Sequence, residues 1–305
     1  MAVLWSTACV AQALGSPWAA WSVAAVLGTP VAVYGLLFWD HAPAAGLGEG
    51  AAALIMASGL RDPGALAFLA GVLGGLGVWL RTEMYLFALA LVLGAWRVFG
   101  KHVAARIAVG ALVSAMGVWI LNASLFGHPL GLKGEAAVGA RVAEIRSVAR
   151  AAGTWVRHRL LVLYDLLGST ERPQNGEHPE RVSASLMHAG TVVAGGILLA
   201  WGIRGQDGVR TLAGAVVAVL GPVSAAVGGQ HLMGLLPTVP LMATLLLTAR
   251  APFPEVRFPL LVASFHTAAV LATGSVGGLQ WGPRYLLPAV PLFVWATIAA
   301  LARGS

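Results

Sequence analysis

Charged residues are scarce in this chain. Only 10% of its 305 residues are Asp, Glu, Lys or Arg, while 58% are apolar and the mean hydropathy is +0.81. A soluble domain carries about a quarter charged residues, so this composition excludes an ordinary soluble fold. The single cysteine, Cys9, excludes an intramolecular disulfide.

Basic residues are missing from the start of the chain, where no Lys or Arg precedes Arg61. The sequence therefore offers no basic segment that would open a signal peptide. It also offers no basic flank that would orient a first membrane helix. We interpret this as a chain that lacks an upstream part which normally fixes its orientation.

Apolar runs close to the ~20 residues needed to cross a bilayer recur along the chain. They predict an all-α, polytopic transmembrane bundle of about nine to ten spans. The 39 glycines suit helices that pack closely inside a membrane, for which the segment Gly71–Gly75 is the clearest candidate face. The predicted spans cover residues 18–39, 44–60, 64–80, 84–98, 107–126, 184–203, 209–229, 232–249, 258–275 and 285–302.

One long segment, residues 130–183, departs from this pattern. Within it, residues 135–152 place apolar side chains on one face and Arg146 and Arg150 on the other, as in a helix that lies in the membrane interface. The sequence thus predicts N-terminal transmembrane helices in 1–129, an extracytoplasmic interfacial insert in 130–183 and C-terminal transmembrane helices in 184–305.

The loops between the predicted spans differ in charge from side to side. Because basic residues in short loops favour the cytoplasm, the more basic set of loops is predicted to be cytoplasmic. We interpret the net charge of +7 as scattered loop residues, not as a nucleic-acid site. The cytoplasmic set contains Arg61, Arg97, Lys101, Arg106, Arg204, Arg210, Arg250, Arg257 and Arg303. The outer set contains Asp40, His41, Arg81, Glu83, His128, His231, Trp281 and Arg284.

Four segments resemble motifs of bacterial members of the GT-C superfamily, the integral-membrane glycosyltransferases. They occur in the same order as in that superfamily and are spread over residues 34–288. The four are residues 34–41 (Tyr-Gly-Leu-Leu-Phe-Trp-Asp-His), the glycine-rich 71–83 that closes in Arg-Thr-Glu, 126–131 (Phe-Gly-His-Pro-Leu-Gly), and 278–288 (Gly-Leu-Gln-Trp-Gly-Pro-Arg-Tyr-Leu-Leu-Pro).

The resemblance implies transfer of a sugar from a polyprenyl-phosphate donor to a lipid, glycan or protein acceptor. It places the reaction on the outer side of a bacterial inner membrane, among membrane lipids. It establishes no cofactor, although a divalent metal ion is compatible with it. In the superfamily the first outer loop carries an acidic residue, and residues 1–17 contain none. The chain is therefore similar to a member that lacks its first spans and first outer loop.

Asp40 and His41 are the candidate catalytic residues. A carboxylate and an imidazole can exchange protons near neutral pH, or can bind a metal. The alternative is structural, because Asp is a good N-cap residue for a following helix. The resemblance maps this pair to an acidic position in the second outer loop of the superfamily. No group of His, Cys, Asp or Glu has the spacing of a zinc site.

The candidate substrate-binding residues are Arg81, Glu83, Trp281, Arg284 and Tyr285. Arg81 is predicted either to hold a phosphate through its guanidinium group or to pair with Glu83. Arg284, with the two aromatic residues, is predicted either to hold a lipid phosphate or sugar or to lie at the interface beside an aromatic belt.

His128 and His231 are weaker candidates for contact with the ligand. Glu49 is expected either to pair with a neighbour inside the bundle or to be partly protonated, and not to act in catalysis. The rival to an enzyme is a non-enzymatic membrane protein, either a lipid or solute transporter or a subunit of a larger assembly. A transporter would have internal repeats and broken helices in paired positions, and the sequence shows no repeat of fixed period.

Overall fold

The structure is a computed structural model, which describes residues 41–57, 64–129, 179–205, 207–227, 253–273 and 284–304. Across those ranges the regular structure is entirely helical, so the all-α prediction is confirmed. The helices are α1 (His41–Ala57), α2 (Gly64–Leu80), α3 (Met84–Phe99), α4 (Lys101–Phe126), α5 (Pro179–Arg204), α6 (Gly208–Val227), α7 (Pro254–Thr273) and α8 (Val290–Gly304), with a 3-10 turn at Arg284–Leu286.

Helices α2, α3 and α4 follow one another through very short connections. Residues 81–83 form a turn in which the Met84 amide donates to the Arg81 carbonyl over 3.1 Å. A single residue, Gly100, separates α3 from α4, and its φ of +93° is a conformation that glycine adopts without the steric cost of a Cβ. Helix α4 ends at Gly127, a left-handed cap whose amide donates to the Ala123 carbonyl.

Glycines bring α2 and α4 into backbone contact. A Cβ at Gly71 would collide with the Ile107 carbonyl, and one at Gly75 would lie 2.6 Å from the Ala111 carbonyl. The predicted small-residue face at Gly71–Gly75 is thus confirmed. Residue numbers rise together along the contact, so α2 and α4 are parallel and both run toward the end of the bundle that carries Arg81.

Helix α7 runs antiparallel to α3. The rings of Phe99 and Phe258 lie 5.2 Å apart, and those of Phe87 and His266 lie 5.4 Å apart. The C-terminal end of α7 therefore lies beside the start of α3. The described side chains from Leu286 to Ala300, which include most of α8, are buried on every face, as expected for a helix that is apolar all round.

Several element boundaries differ from the predicted spans. Helix α4 begins at Lys101 instead of 107, because helix formation continues into basic residues that hydropathy assigns to a loop. The last helix begins at Val290 instead of 285, after the 3-10 turn and Pro288. Residues 179–183, predicted to close the insert, form the start of α5. The rest of that insert and the predicted spans 18–39 and 232–249 lie outside the described residues.

Large apolar side chains are exposed along the outer faces of several helices. On α4 they recur at helical spacing, at Val109, Leu112, Met116 and Ile120, and the last of these is 65% exposed. Among the described helices, α4 is the one that is both long and apolar enough to cross a membrane. Apolar patches of this extent mark a surface that contacts lipid or another protein.

Candidate functional site

The first part of the candidate site is the turn between α2 and α3. Arg81 follows the last residue of α2, and Glu83 immediately precedes α3. The Arg81 Nε atom donates to the Glu83 Oε1 atom over 3.0 Å; the Arg81 side chain is 24% exposed and that of Glu83 is 8% exposed. Since Glu83 is the more buried partner, it orients a guanidinium group that still reaches the surface.

The second part is the 3-10 turn that precedes α8. The Arg81 guanidinium carbon lies 6.0 Å from the centre of the Tyr285 ring, at the outer limit of a cation–π contact. Arg81 and Tyr285 were predicted from the sequence to belong to one site, although about two hundred positions separate them (from 81 to 285). The structure brings the two turns side by side, and their role in binding stays a prediction.

His266 on α7 ties this second turn to the bundle. Its ring is fully buried, and its Nε2 atom lies 2.8 Å from the Tyr285 carbonyl oxygen. Because a carbonyl can only accept, Nε2 must carry the proton, and the neutral ring then leaves Nδ1 as an acceptor. Nδ1 is buried and has no hydrogen-bond partner among the described residues. An unsatisfied buried acceptor costs about 1–3 kcal/mol, so the geometry of this contact is maintained at some expense.

A further buried carboxyl group lies near this end of the bundle. Glu49 is fully buried on α1, and neither of its oxygens has a hydrogen-bond partner within the described ranges. The expected pairing of Glu49 with a neighbour is therefore not found there. A Cβ on the adjacent Gly48 would lie 2.8 Å from the Phe87 ring, so this part of α1 packs against the first turn of α3.

An aromatic pair stands beside the Arg81 turn on the α4 side. The rings of Tyr85 and Trp119 are stacked, with centroids 6.3 Å apart and an angle of 19° between their planes. The Trp119 Nε1 atom donates to the Tyr85 hydroxyl oxygen. The pair therefore fixes the start of α3 against α4, close to the Arg81–Glu83 ion pair.

The other predicted residues are only partly covered. The backbone of His41 begins α1, and that of Arg284 begins the 3-10 turn. His128 follows α4 at the same end of the bundle as Arg81 and is partly buried. Asp40 and Trp281 lie outside the described residues, as does His231. The side chains of the candidate acid–base pair and of Trp281 are therefore outside the part of the chain that the structure describes.

The described cluster has the chemistry to recognise an anion. It combines one oriented guanidinium group, one carboxylate that limits its movement and one aromatic ring against its face. A planar guanidinium group matches the geometry of a phosphate or carboxylate. Within the described ranges no group of three His, Cys, Asp or Glu side chains could hold a metal ion.

Three contributors to this cluster were not selected from the sequence. His266 is the one ionisable side chain in the predicted span 258–275, and that was the available signal. Tyr85 follows Glu83 by two positions, but its partner Trp119 lies in the middle of an apolar run. Only the packing of α3 against α4 and α7 joins these residues to the turn at Arg81.

Comparison with models of known protein families, with curated proteins and with solved structures finds no match for this chain. The similarity to GT-C glycosyltransferases therefore depends on the four sequence motifs alone.

Proposed function

We propose that this protein is a multi-pass protein of a bacterial inner membrane that transfers a sugar from a polyprenyl-phosphate donor. The membrane part of the proposal is supported by the exposed apolar faces and by the distribution of charge. Arg97, Lys101, Arg106 and Arg257 are all exposed toward one end of the bundle, which we call the basic end. The opposite end carries Arg81, Glu83, His128 and Tyr285, and we call it the polar end.

The charge asymmetry gives the orientation. Basic residues in short connections stay on the cytoplasmic side, so the basic end faces the cytoplasm and the polar end faces outward. Polyprenyl-phosphate donors carry their phosphate at the membrane surface, at the depth where the chain leaves α2 and enters α3. A phosphate ester at that depth would lie beside Arg81 and the turn whose backbone begins at Arg284.

The proposed reaction is a displacement at the sugar. The acceptor hydroxyl oxygen bonds to the anomeric carbon, and its proton passes to Asp40 or His41 as the general base. The bond from the anomeric carbon to the phosphate oxygen breaks, and its electron pair leaves with the polyprenyl phosphate. Arg81 or Arg284 stabilises the negative charge that develops on this leaving group.

The observation that carries the proposal is the position of Arg81. Its guanidinium group is held by Glu83 at 3.0 Å, faces the Tyr285 ring and remains about a quarter exposed. An arginine that served only as a structural ion-pair partner would not need to lie beside Tyr285, a residue of the motif at 278–288. The phosphate subsite is therefore the place where Arg81, held by Glu83, lies beside Tyr285.

Binding of farnesyl phosphate to the full chain in detergent micelles tests this subsite. A hydrogen bond to a charged group is worth about 1.5–3 kcal/mol, so Arg81→Ala should weaken binding about 10- to 100-fold. Glu83→Gln keeps an acceptor for Arg81 and should weaken binding less. Arg97→Ala at the basic end is the matched control and should leave the dissociation constant within about twofold, since exposed charges contribute little.

Equal losses in the Arg81 and Glu83 variants would assign both residues to structure and remove the subsite. Binding that is normal in all three variants would have the same consequence. Sugar transfer is measured in parallel, with polyprenyl-phosphate sugars as donors and a lipid extract as acceptor.

A lipid or solute transporter is the second candidate, and Glu49 favours it. An ionisable side chain buried inside a membrane bundle often marks an ion or substrate pathway. In that case farnesyl phosphate would bind and cross the bilayer of a vesicle without cleavage of any sugar–phosphate bond. Transfer without movement across the bilayer would instead support the enzyme.

A further inference from the structure

We infer that His266 is a positioning residue for the phosphate subsite, in which it supplies the hydrogen-bond donor that Pro288 cannot. This inference rests on the proposed function, because it concerns the same site. It adds a residue from α7 that none of the four motifs contains.

The Tyr285 carbonyl needs a hydrogen-bond donor. In a 3-10 turn the carbonyl of residue 285 accepts from the amide of residue 288, three positions along. Residue 288 is a proline and has no amide hydrogen. The next amide, that of Ala289, already donates to the Leu286 carbonyl over 2.8 Å. Of the two amides that follow the turn most closely, one is therefore missing at Pro288 and the other, of Ala289, donates to a different carbonyl.

His266 meets this requirement from another helix. Its Nε2–H group donates to the Tyr285 carbonyl over 2.8 Å, and its ring is held edge-on by Phe87 of α3. The ring is completely buried, so water does not compete for this bond. One side chain thus connects α3, α7 and the turn that carries Arg284 and Tyr285.

The His266 bond therefore fixes the distance between the turn at residues 81–83 and the turn at Arg284–Leu286. Phe87 lies one helical turn from Glu83, which holds Arg81, and His266 contacts Phe87. If the His266 bond is lost, the turn can move away from Arg81, and a phosphate held at Arg81 loses its contacts with that turn.

The test separates the hydrogen bond from simple packing. His266→Leu keeps an apolar side chain but removes the donor, whereas His266→Gln retains a donor close to the Nε2 position. The double variant His266→Leu, Pro288→Ala restores a backbone amide at residue 288 that can serve the Tyr285 carbonyl. His102→Leu, an exposed histidine at the basic end, is the matched control.

Two quantities are measured on the full chain in detergent micelles. The first is hydrogen–deuterium exchange in a peptide that covers residues 284–290, and the second is the dissociation constant for farnesyl phosphate. We expect His266→Leu to speed exchange in this peptide and to weaken binding about tenfold. His266→Gln and the double variant should both return to within about threefold of the wild-type constant, and His102→Leu should match the wild type.

Three results would overturn the inference. One is exchange and binding that do not change in His266→Leu. Another is a loss that neither the glutamine nor the added amide restores, which would assign His266 to packing. The third is faster exchange with normal binding, which would leave the phosphate subsite intact without His266. A wild-type chain that does not bind farnesyl phosphate would instead overturn the proposed function, and the inference with it.

Discussion

The polar end and the basic end of the bundle are held together by different interactions. At the polar end the Arg81–Glu83 ion pair lies within one turn, and two hydrogen bonds join separate elements: that of His266 to the Tyr285 carbonyl and that of Trp119 to the Tyr85 hydroxyl. At the basic end the rings of Phe99 and Phe258 pack against each other, with their centroids 5.2 Å apart. The basic side chains there point to the surface.

This difference indicates which end can be specific for a ligand. Buried hydrogen bonds specify one arrangement, because each broken bond leaves a polar group without a partner at full desolvation cost. Exposed cations need no fixed geometry and act through their net charge, which is what membrane orientation requires. The polar end is therefore suited to recognition, and the basic end is suited to setting direction.

The largest effect is expected from labelling the two ends separately. In a Cys9→Ala background, Thr82→Cys places a thiol in the exposed turn of the polar end, and His102→Cys places one at the basic end. A membrane-impermeant maleimide added to intact cells should label Thr82→Cys almost fully and His102→Cys only after permeabilisation. The reason is that the bilayer separates the two positions if the bundle spans it.

The two thiols control for each other, since both residues are exposed in the fold. Equal labelling of both in intact cells would mean that the bundle does not separate two compartments. Labelling of His102→Cys alone would reverse the proposed orientation and place the Arg81 turn in the cytoplasm.

A smaller effect is expected at the glycine contact between α2 and α4, two helices that run from the basic end toward the polar end. A Cβ at Gly110 would collide with the Phe68 carbonyl, and a backbone atom cannot move aside unless the helices separate. Gly110→Ala should therefore lower the free energy of unfolding by about 1–3 kcal/mol, the usual cost of overpacking. Denaturation in mixed micelles, followed by circular dichroism, measures the change.

Gly190 on α5 is the matched control, because no atom lies within 4 Å of the position that its Cβ would take. Gly190→Ala should leave stability unchanged or raise it by up to ~1 kcal/mol through helix propensity. If Gly110→Ala and Gly190→Ala change the free energy of unfolding equally, the close approach of α2 and α4 does not stabilise the bundle.

In the part of the chain that the structure describes, hydrophobic pattern was sufficient to predict the helices but not all of their ends. The predicted span 64–80 coincides with α2, because a polar turn at Arg81 follows it directly. Helix α4 was predicted six residues too short, since hydropathy records the apolar part of a helix and not its basic first turns. The start of α8 depends on Pro288 and on the 3-10 turn, neither of which changes the hydropathy of the run.

The candidate site was predictable in part for a similar reason. Polar residues in the connections stand out from apolar runs, so Arg81, Glu83 and Tyr285 could be selected and assigned to one side. Their partners could not, because a side chain such as His266 or Trp119 acquires a role only when helices distant in sequence pack together. The Asp40–His41 pair stays a prediction, since its geometry lies outside the described residues except for the start of α1.

The smallest predicted effect tests whether the two ends are energetically separate. Tyr85→Phe removes the hydroxyl that accepts from Trp119 but keeps the stacked rings, so it should cost about 1 kcal/mol of unfolding free energy. In combination with Trp119→Phe, the coupling between the two residues should be of the same size. Phe99→Leu lies fourteen residues further along α3, which corresponds to about 21 Å. Its cost should add to that of Tyr85→Phe within about 0.5 kcal/mol, because sites without shared partners act independently. A larger coupling would mean that α3 transmits changes from one end to the other, and the polar end could then no longer be treated as a site specified by its own contacts.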